Sequence, residues 1–387
     1  MSDAMAHSMR GDSTPADWPQ LTLDEVREAL GRWGIDASRA RLRWHSPRPL
    51  SSAAIVDLDD RVLTSNDDAV FVKRHHHSVR TPAQLEEEHR FMRHLRAAGA
   101  PVTRVLARAD GHTAGALGEF TYEVHELGAG VDLYRDAVSW SPFLRDAHAH
   151  SAGAALGALH RAAAAYDAPP RLPTPLVSND RIINRADPLA AIDELSAWQP
   201  ALREFLAAHP WRDEIGAALA PSHQRYLDLV PDLTPLWTHN DWHASNLLWS
   251  GQDPGAVVST IIDFGLSDRT SAIYDLATAI ERNSIPWLDI HDGQPGAADL
   301  EAVSGLLDGY LIQANLSAAE RAAVVAVLPI VHVGYALSEI DYFHGTTHSA
   351  ANADLAYQAF LLGHSRWFLG TEGRRLLEHL RDGLGVA

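Results

Sequence analysis

The 387-residue sequence predicts an α+β chain in two lobes, behind a leader at 1–20 expected to be disordered. A small antiparallel-sheet N-lobe is expected at 21–125 and a larger helical C-lobe at 126–387. Three observations predict this. Short strand-like runs crowd the first third (41–44, 53–58, 69–73, 120–127). Helical patterns fill residues 271–383. Between them two polar motifs are flanked by apolar strand-like runs, Leu247-Leu248-Trp249 and Val257-Val258 with Ile261-Ile262.

The elements follow in order. Thr22-Leu23-Asp24-Glu25 is a capping box that opens a short helix ending near Gly34. The first two strands are joined by Ser46-Pro-Arg-Pro-Leu-Ser-Ser52, a turn without glycine. Thr81-Pro82-Ala83-Gln84 starts the next helix, with Thr as N-cap and Pro at the first helical position, and Gly99 ends it. On that helix Leu85, Glu88, Met92 and Leu95 share one face. A carboxylate facing a core needs a cation or costs several kcal/mol, and Lys73 is the candidate partner of Glu88. After the strand at 120–127, Gly128-Ala129-Gly130 reads as a hinge between lobes. An Ala-rich helix at 144–166 contains Leu159-His160, and prolines from Pro169 to Pro175 with Asp187-Pro188 signal loops. Helices are expected at 271–283, 298–313, 317–337, 350–366 and 371–383.

Composition narrows the function. The net charge of −18 argues against general nucleic-acid or anionic-membrane binding, which call for basic patches. With no cysteine there is no disulfide, thiol catalysis or Cys-ligated zinc. The N-terminus lacks the form of a signal peptide. The longest apolar run, Ala322 to Leu337, is interrupted by Pro329 and His332 and reads as buried helix. The expectation is a soluble cytoplasmic protein.

The two motifs carry chemistry. His239, Asp241 and Asn246 stand in an H-x-D-x-x-x-x-N pattern, and Asp263-Phe264-Gly265 follows 17 residues after Asn246. One carboxylate can accept the proton of an attacking hydroxyl, while an amide oxygen and a second carboxylate hold Mg²⁺ against nucleotide phosphates. A third signal is Lys73, the only lysine among 32 basic residues, at the end of an apolar strand. Arginine's planar fork does not replace a compact ammonium there. A rival reading makes His239, Asp241 and His243 the metal ligands of a hydrolase, but the one obvious further ligand, Asp263, sits where a kinase already needs it. His75-His76-His77 reads as a solvated hairpin.

On Lys73, Glu88, Leu159-His160, His239–Asn246, Asp263 and Tyr274-Asp275-Leu276-Ala277, the chain resembles the aminoglycoside phosphotransferase and choline kinase group over about residues 40–370. These are small-molecule kinases with a bilobal protein-kinase-like fold. The resemblance implies ATP and Mg²⁺ as cofactors, with Asp241 as catalytic base, Asn246 and Asp263 as metal ligands, and Lys73 on phosphate oxygens with Glu88 as its ion-pair partner. His239 and Asp275 would support the catalytic loop, Asp275 by accepting backbone hydrogen bonds. Ser51 and Ser52 would lie in the turn that covers the phosphates, although the missing glycine departs from the pattern. No Arg precedes Asp241 and no Ala-Pro-Glu follows Asp263, which favours a small hydroxyl acceptor over a peptide. Between Asn283 and Ser365 the acids outnumber the single Arg321, and they mix with aromatics. That suits a cationic acceptor such as an aminoglycoside or amino alcohol, with Glu339 or Asp341 facing it. A neutral sugar is the alternative acceptor, and a nucleotide-binding pseudokinase without turnover is the alternative class.

Overall fold

In a computed structural model that describes residues 5–7, 13–59, 68–294 and 296–386, the strand-forming runs of the first third pair as predicted. Two short strands, β1 (Met5–His7) and β2 (Ser13–Pro15), form a separate antiparallel ribbon inside the expected leader, whose other residues before 13 lie outside the described ones. Then β3 (Arg41–His45), β4 (Ser52–Asp57), β5 (Ala69–His76), β6 (Ala114–Leu117) and β7 (Phe120–Glu126) build one five-stranded antiparallel sheet in the order β3-β4-β5-β7-β6.

Alternation gives the sheet two faces. Val70 and Val72 of β5, with Tyr122 and Val124 of β7, pack on Val26, Leu30 and Trp33 of helix α1 (Leu23–Arg32). The opposite residues, Lys73 and His75 with Glu123 and His125, belong to the face that meets helix α2 (Pro82–Ala97). Both helices start with the capping boxes read from sequence, Thr22 with Glu25 and Thr81 with Gln84. The chain leaves them through left-handed glycines, Gly34 at φ 70° and Gly99 at φ 88°, where a side chain would strain the backbone.

The chain divides into two compact units, residues 1–129 with 260–262, and 130–259 with 263–387. The second is mostly helical. Helix α3 (Asp146–Ala163) packs closely on the helix Leu300–Gln313 because glycines line the contact: a Cβ on Gly153 would stand 2.0 Å from the Leu306 carbonyl oxygen. Helices at Pro188–Trp198, Pro200–Ala207, Trp211–Leu219 and His223–Leu227 were not expected from sequence. They are short, and two open on a proline, one of them Pro188, which otherwise reads as a loop signal. The apolar stretch Ala318–Gly345 is long enough by length and composition to cross a membrane, yet 89% of its most apolar window is buried within the protein. A turn of 3₁₀ helix at Leu328–Ile330 interrupts it, where Pro329 cannot donate to the helical ladder.

Candidate active site

The catalytic-loop motif starts on a ladder. Strand β8 (Pro235–Thr238) pairs antiparallel with strand β9 (Asp268–Ser271), so the turns after β8 and before β9 leave from adjacent points. Asp275, fully buried in the first turn of the helix Ala272–Ser284, anchors the loop. It accepts the His239 N–H on one oxygen and the Asn240 N–H on the other, each at 2.9 Å. The former oxygen also lies 3.1 Å from Nε2 of His160 on α3, whose Nδ1 is 2.9 Å from the Tyr310 hydroxyl. Each of those buried N–H groups, left unpaired, would cost about 1–3 kcal/mol.

Asn240 sits at φ 59°, in the left-handed region that Asn tolerates better than most residues. Its amide donates to the carbonyls of Ser178 (3.2 Å) and Leu266 (3.3 Å) and accepts from the hydroxyls of Thr238 and Thr270. His239 is turned inward: its Nδ1 accepts the Asp241 N–H at 3.2 Å, and its ring lies 4.7 Å from that of Phe264. The loop is thereby tied to the Asp263-Phe264-Gly265 turn. His239 supports Asp241 through backbone geometry, and His243 points its Nδ1 at the Ser245 hydroxyl, 2.8 Å away. Among the described residues, the groups spaced to hold one ion lie elsewhere, so the hydrolase reading has no geometric support here.

Asp241 is held from both sides. The Asn246 NH₂ donates to its carbonyl (2.9 Å) and its Oδ2 (3.0 Å). Arg282 donates to its Oδ1, and His243 Nε2 stands 3.6 Å from the same oxygen. Burial pushes the Asp241 carboxyl up, but the Arg282 and His243 charges outweigh it and hold the group well below the usual carboxylate range. With its NH₂ turned onto Asp241, Asn246 keeps its carbonyl oxygen as the atom a hard cation can use. Asp263 is exposed and, like Asn240, left-handed at φ 59°, with Oδ1 3.4 Å from its own turn's Gly265 N–H. These oxygen donors fit Mg²⁺.

Arg282 is the residue the motifs do not announce. Its guanidinium is buried, 4.9 Å from the Tyr335 ring and 5.9 Å from that of Trp140. Beside it lies a cavity of about 20 Å³, enough for one water-sized group, lined among others by Trp140, Glu281, His332, Tyr335, Glu339 and His364. Glu339 is fully buried, with the Tyr335 hydroxyl as its side-chain hydrogen-bond neighbour. Burial pushes its pKa up to about 8, with Arg282 pulling the other way.

The remaining predicted residues are placed as follows. Lys73 is half-buried on β5, on the α2 face of the sheet. Glu88 lies buried among Leu85, Met92 and Leu95, as its spacing predicts. Arg80 bonds to it through Nε at 3.1 Å, a partner the sequence does not single out. Ser52 is committed to the fold: its hydroxyl donates to the Pro19 carbonyl at 2.7 Å and accepts from Arg74 at 3.1 Å. Ser51 is half-buried in the bend before β4. Asp341 does not line the cavity; it is buried and accepts the Leu202 N–H at 3.1 Å in the first turn of the helix Pro200–Ala207. The histidine triplet is not a uniformly solvated hairpin: His75 is buried on the α2 face of β5, while His77, just past the end of the strand, is exposed.

An antiparallel five-stranded sheet followed by helices, with an H-x-D-x-x-x-x-N loop ahead of Asp-Phe-Gly, defines a protein-kinase-like phosphotransferase. The chain belongs to the phosphotransferase enzyme family APH, whose pattern matches residues 56–311. Its fold is similar to that of an amicoumacin kinase solved with AMP-PNP, Ca²⁺ and its antibiotic (14% identity, TM-score 0.54, 88% of this chain and 92% of that one). It is similar also to choline kinase from Cryptosporidium parvum (13%, 0.54, 94% and 99%). A third likeness is to an aminoglycoside phosphotransferase from Alicyclobacillus acidocaldarius (18%, 0.50, 92% and 95%). No curated protein matches the chain by sequence.

Proposed function

We propose that this small-molecule kinase transfers the γ-phosphoryl group of ATP to a hydroxyl of an acceptor that also carries an amine. The observation that carries the chemistry is Asp241: an ionised carboxylate held by Asn246 and Arg282, on a loop anchored through Asp275. Its Oδ atoms take the hydroxyl proton as the acceptor oxygen attacks phosphorus and ADP leaves. A carboxylate this acidic orients the hydroxyl first and takes the proton late, as fits a loose transition state. Asn246 and Asp263 are the proposed ligands of Mg²⁺, which would spread phosphate charge when bound, and Lys73 is the proposed phosphate contact.

The acceptor class rests on Glu339. A buried carboxyl whose charged form is disfavoured by burial is stabilised in that form by an arriving cation. The cavity beside it has the size of an ammonium group, and the rings of Trp140, Tyr335 and Phe360 line it. Arg282 also lines this cavity, and its ion pair with Asp241 offsets part of its charge there. Choline and aminoglycosides, named with the similar structures, carry such nitrogen cations.

The test is an ATP-consumption screen with Mg²⁺ over amino alcohols, amino sugars and matched neutral polyols, with product identified by mass. Turnover with amine-bearing acceptors is expected. Glu339→Gln should raise their KM while sparing that of ATP. Turnover with neutral polyols alone would move the acceptor to the sugar class.

A further inference from the structure

The α2-facing side of the N-terminal sheet gathers more histidine than a core requires. Strand pairing sets His75 of β5 and Glu123 and His125 of β7 on one face, and His89 reaches them from α2. Three imidazoles then meet one buried carboxylate. His75 Nε2 lies 3.0 Å from Glu123 Oε1, while His89 Nε2 and His125 Nε2 lie 2.7 and 2.9 Å from Oε2. His89, Glu123 and His125 each offer a ligand atom within 4.8 Å of the others, and all three are buried. The other nitrogen of His89 is 2.8 Å from the Thr113 hydroxyl, which fixes how the ring is turned. The residues come from three separate elements, so no local turn accounts for their convergence.

We propose that His89, Glu123 and His125 form a binding site for a divalent transition-metal ion of the zinc class, with His75 holding the second oxygen of the Glu123 carboxylate. Two imidazole nitrogens and one carboxylate oxygen are a zinc donor set that leaves a fourth position for water. Bonds of about 2.0–2.1 Å in a tetrahedron place donors roughly 3.3 Å apart. The separations of 2.7 and 2.9 Å between the two ring nitrogens and Glu123 Oε2 need to open by only a few tenths of an ångström. The charge states also suit. Burial pushes the Glu123 carboxyl up, but the three imidazoles overcome this and hold it well below its ordinary range, and burial lowers His75. An ionised carboxylate oxygen beside imidazole nitrogens is the kind of donor set a divalent metal binds. A buried ionic cluster is replaceable by apolar residues without loss of stability, so packing alone does not explain this one. The bound ion would clasp β7 to α2, the helix that carries Glu88, next to the strand that carries Lys73. The site is separate from the cavity beside Arg282, whose Glu281, His332 and His364 are a second group at ligand spacing.

The full chain, stripped with EDTA and dialysed, is titrated with Zn²⁺ while bound metal and Tm are measured, and Co²⁺ is then used as a spectroscopic substitute. One equivalent of zinc, a rise in Tm and the visible bands of tetrahedral Co²⁺ are expected. His89→Gln and Glu123→Gln should each lose that equivalent, and His364→Gln should keep it. The proposal is overturned if the wild-type chain takes up no stoichiometric zinc, or if uptake survives His89→Gln and disappears in His364→Gln. His125→Gln, with folding checked by circular dichroism, replaces Glu123→Gln if the latter does not fold.

Discussion

The catalytic loop and the strand bearing Lys73 are both marked in sequence by a handful of residues, but they are built in opposite ways. The loop closes largely on motif residues: His239, Asp241 and Asn246 bond to one another, and Asp275 of the following helix holds the backbone. The strand closes on distant partners. Glu88 is met by Arg80, and the face of the sheet that carries Lys73 is filled by a glutamate and three histidines drawn from β5, α2 and β7. A short motif therefore describes its surroundings where the chain folds back at once. It says less where strand register chooses the neighbours.

This contrast makes graded predictions. The largest effect belongs to Asp241→Asn, which should lower kcat by about 10²–10⁴, the usual worth of a positioned base. The protein should still fold, because Arg282 keeps Glu339 and the Tyr335 ring beside it; steady-state kinetics with a circular-dichroism melt reads both. In the strand region the balance should reverse. Arg80→Met removes a bonded cation from the buried Glu88 carboxylate and should cost about 3–5 kcal/mol of stability in denaturant unfolding, with kcat at low temperature falling less than tenfold. A larger loss of turnover than of stability would erase the distinction between the two regions.

Arg282→Met should act on pH. The Asp241 carboxyl is depressed in the folded protein, so its ion pair contributes stability above the unfolded carboxyl value of about 3.9 and loses it as pH falls through the folded value. Without Arg282 the folded value rises, and the acid limb of kcat against pH should move upward. An unmoved limb would show that Arg282 does not set the state of Asp241. The smallest effect is that of Glu339→Gln on stability. A carboxyl raised to about 8 in the fold makes the unfolded state bind fewer protons above its own pKa of about 4.3, so wild-type stability declines from there up through about 8. Glu339→Gln should flatten that decline in Tm against pH.

Much of the fold was legible: both capping boxes, four strands of the sheet and the buried stripe of α2 all stand in local pattern. Strand β6 was missed because Ala114-Gly115-Ala116-Leu117 carries almost no strand signal of its own. In the site, Arg282 escaped notice although a signal existed. It lies seven residues after Asp275 on one helix, hence on the same face, turned to the same loop. Asp341 shows the converse, since acidity beside aromatics does not reveal that a backbone N–H of another helix already occupies the carboxylate. Ser52 was likewise unreadable, because its partners Pro19 and Arg74 are set by tertiary pairing.

The most direct measurement follows phosphate from ATP into an amine-bearing alcohol by ³¹P NMR, with wild-type protein and with Asp241→Asn. A phosphomonoester formed with Mg²⁺ by the wild type, and at least a hundredfold more slowly by Asp241→Asn, is the predicted result for a positioned base. Equal rates of phosphomonoester formation by the two proteins would contradict the assignment of Asp241, and a product formed by the wild type without ATP would contradict phosphoryl transfer itself.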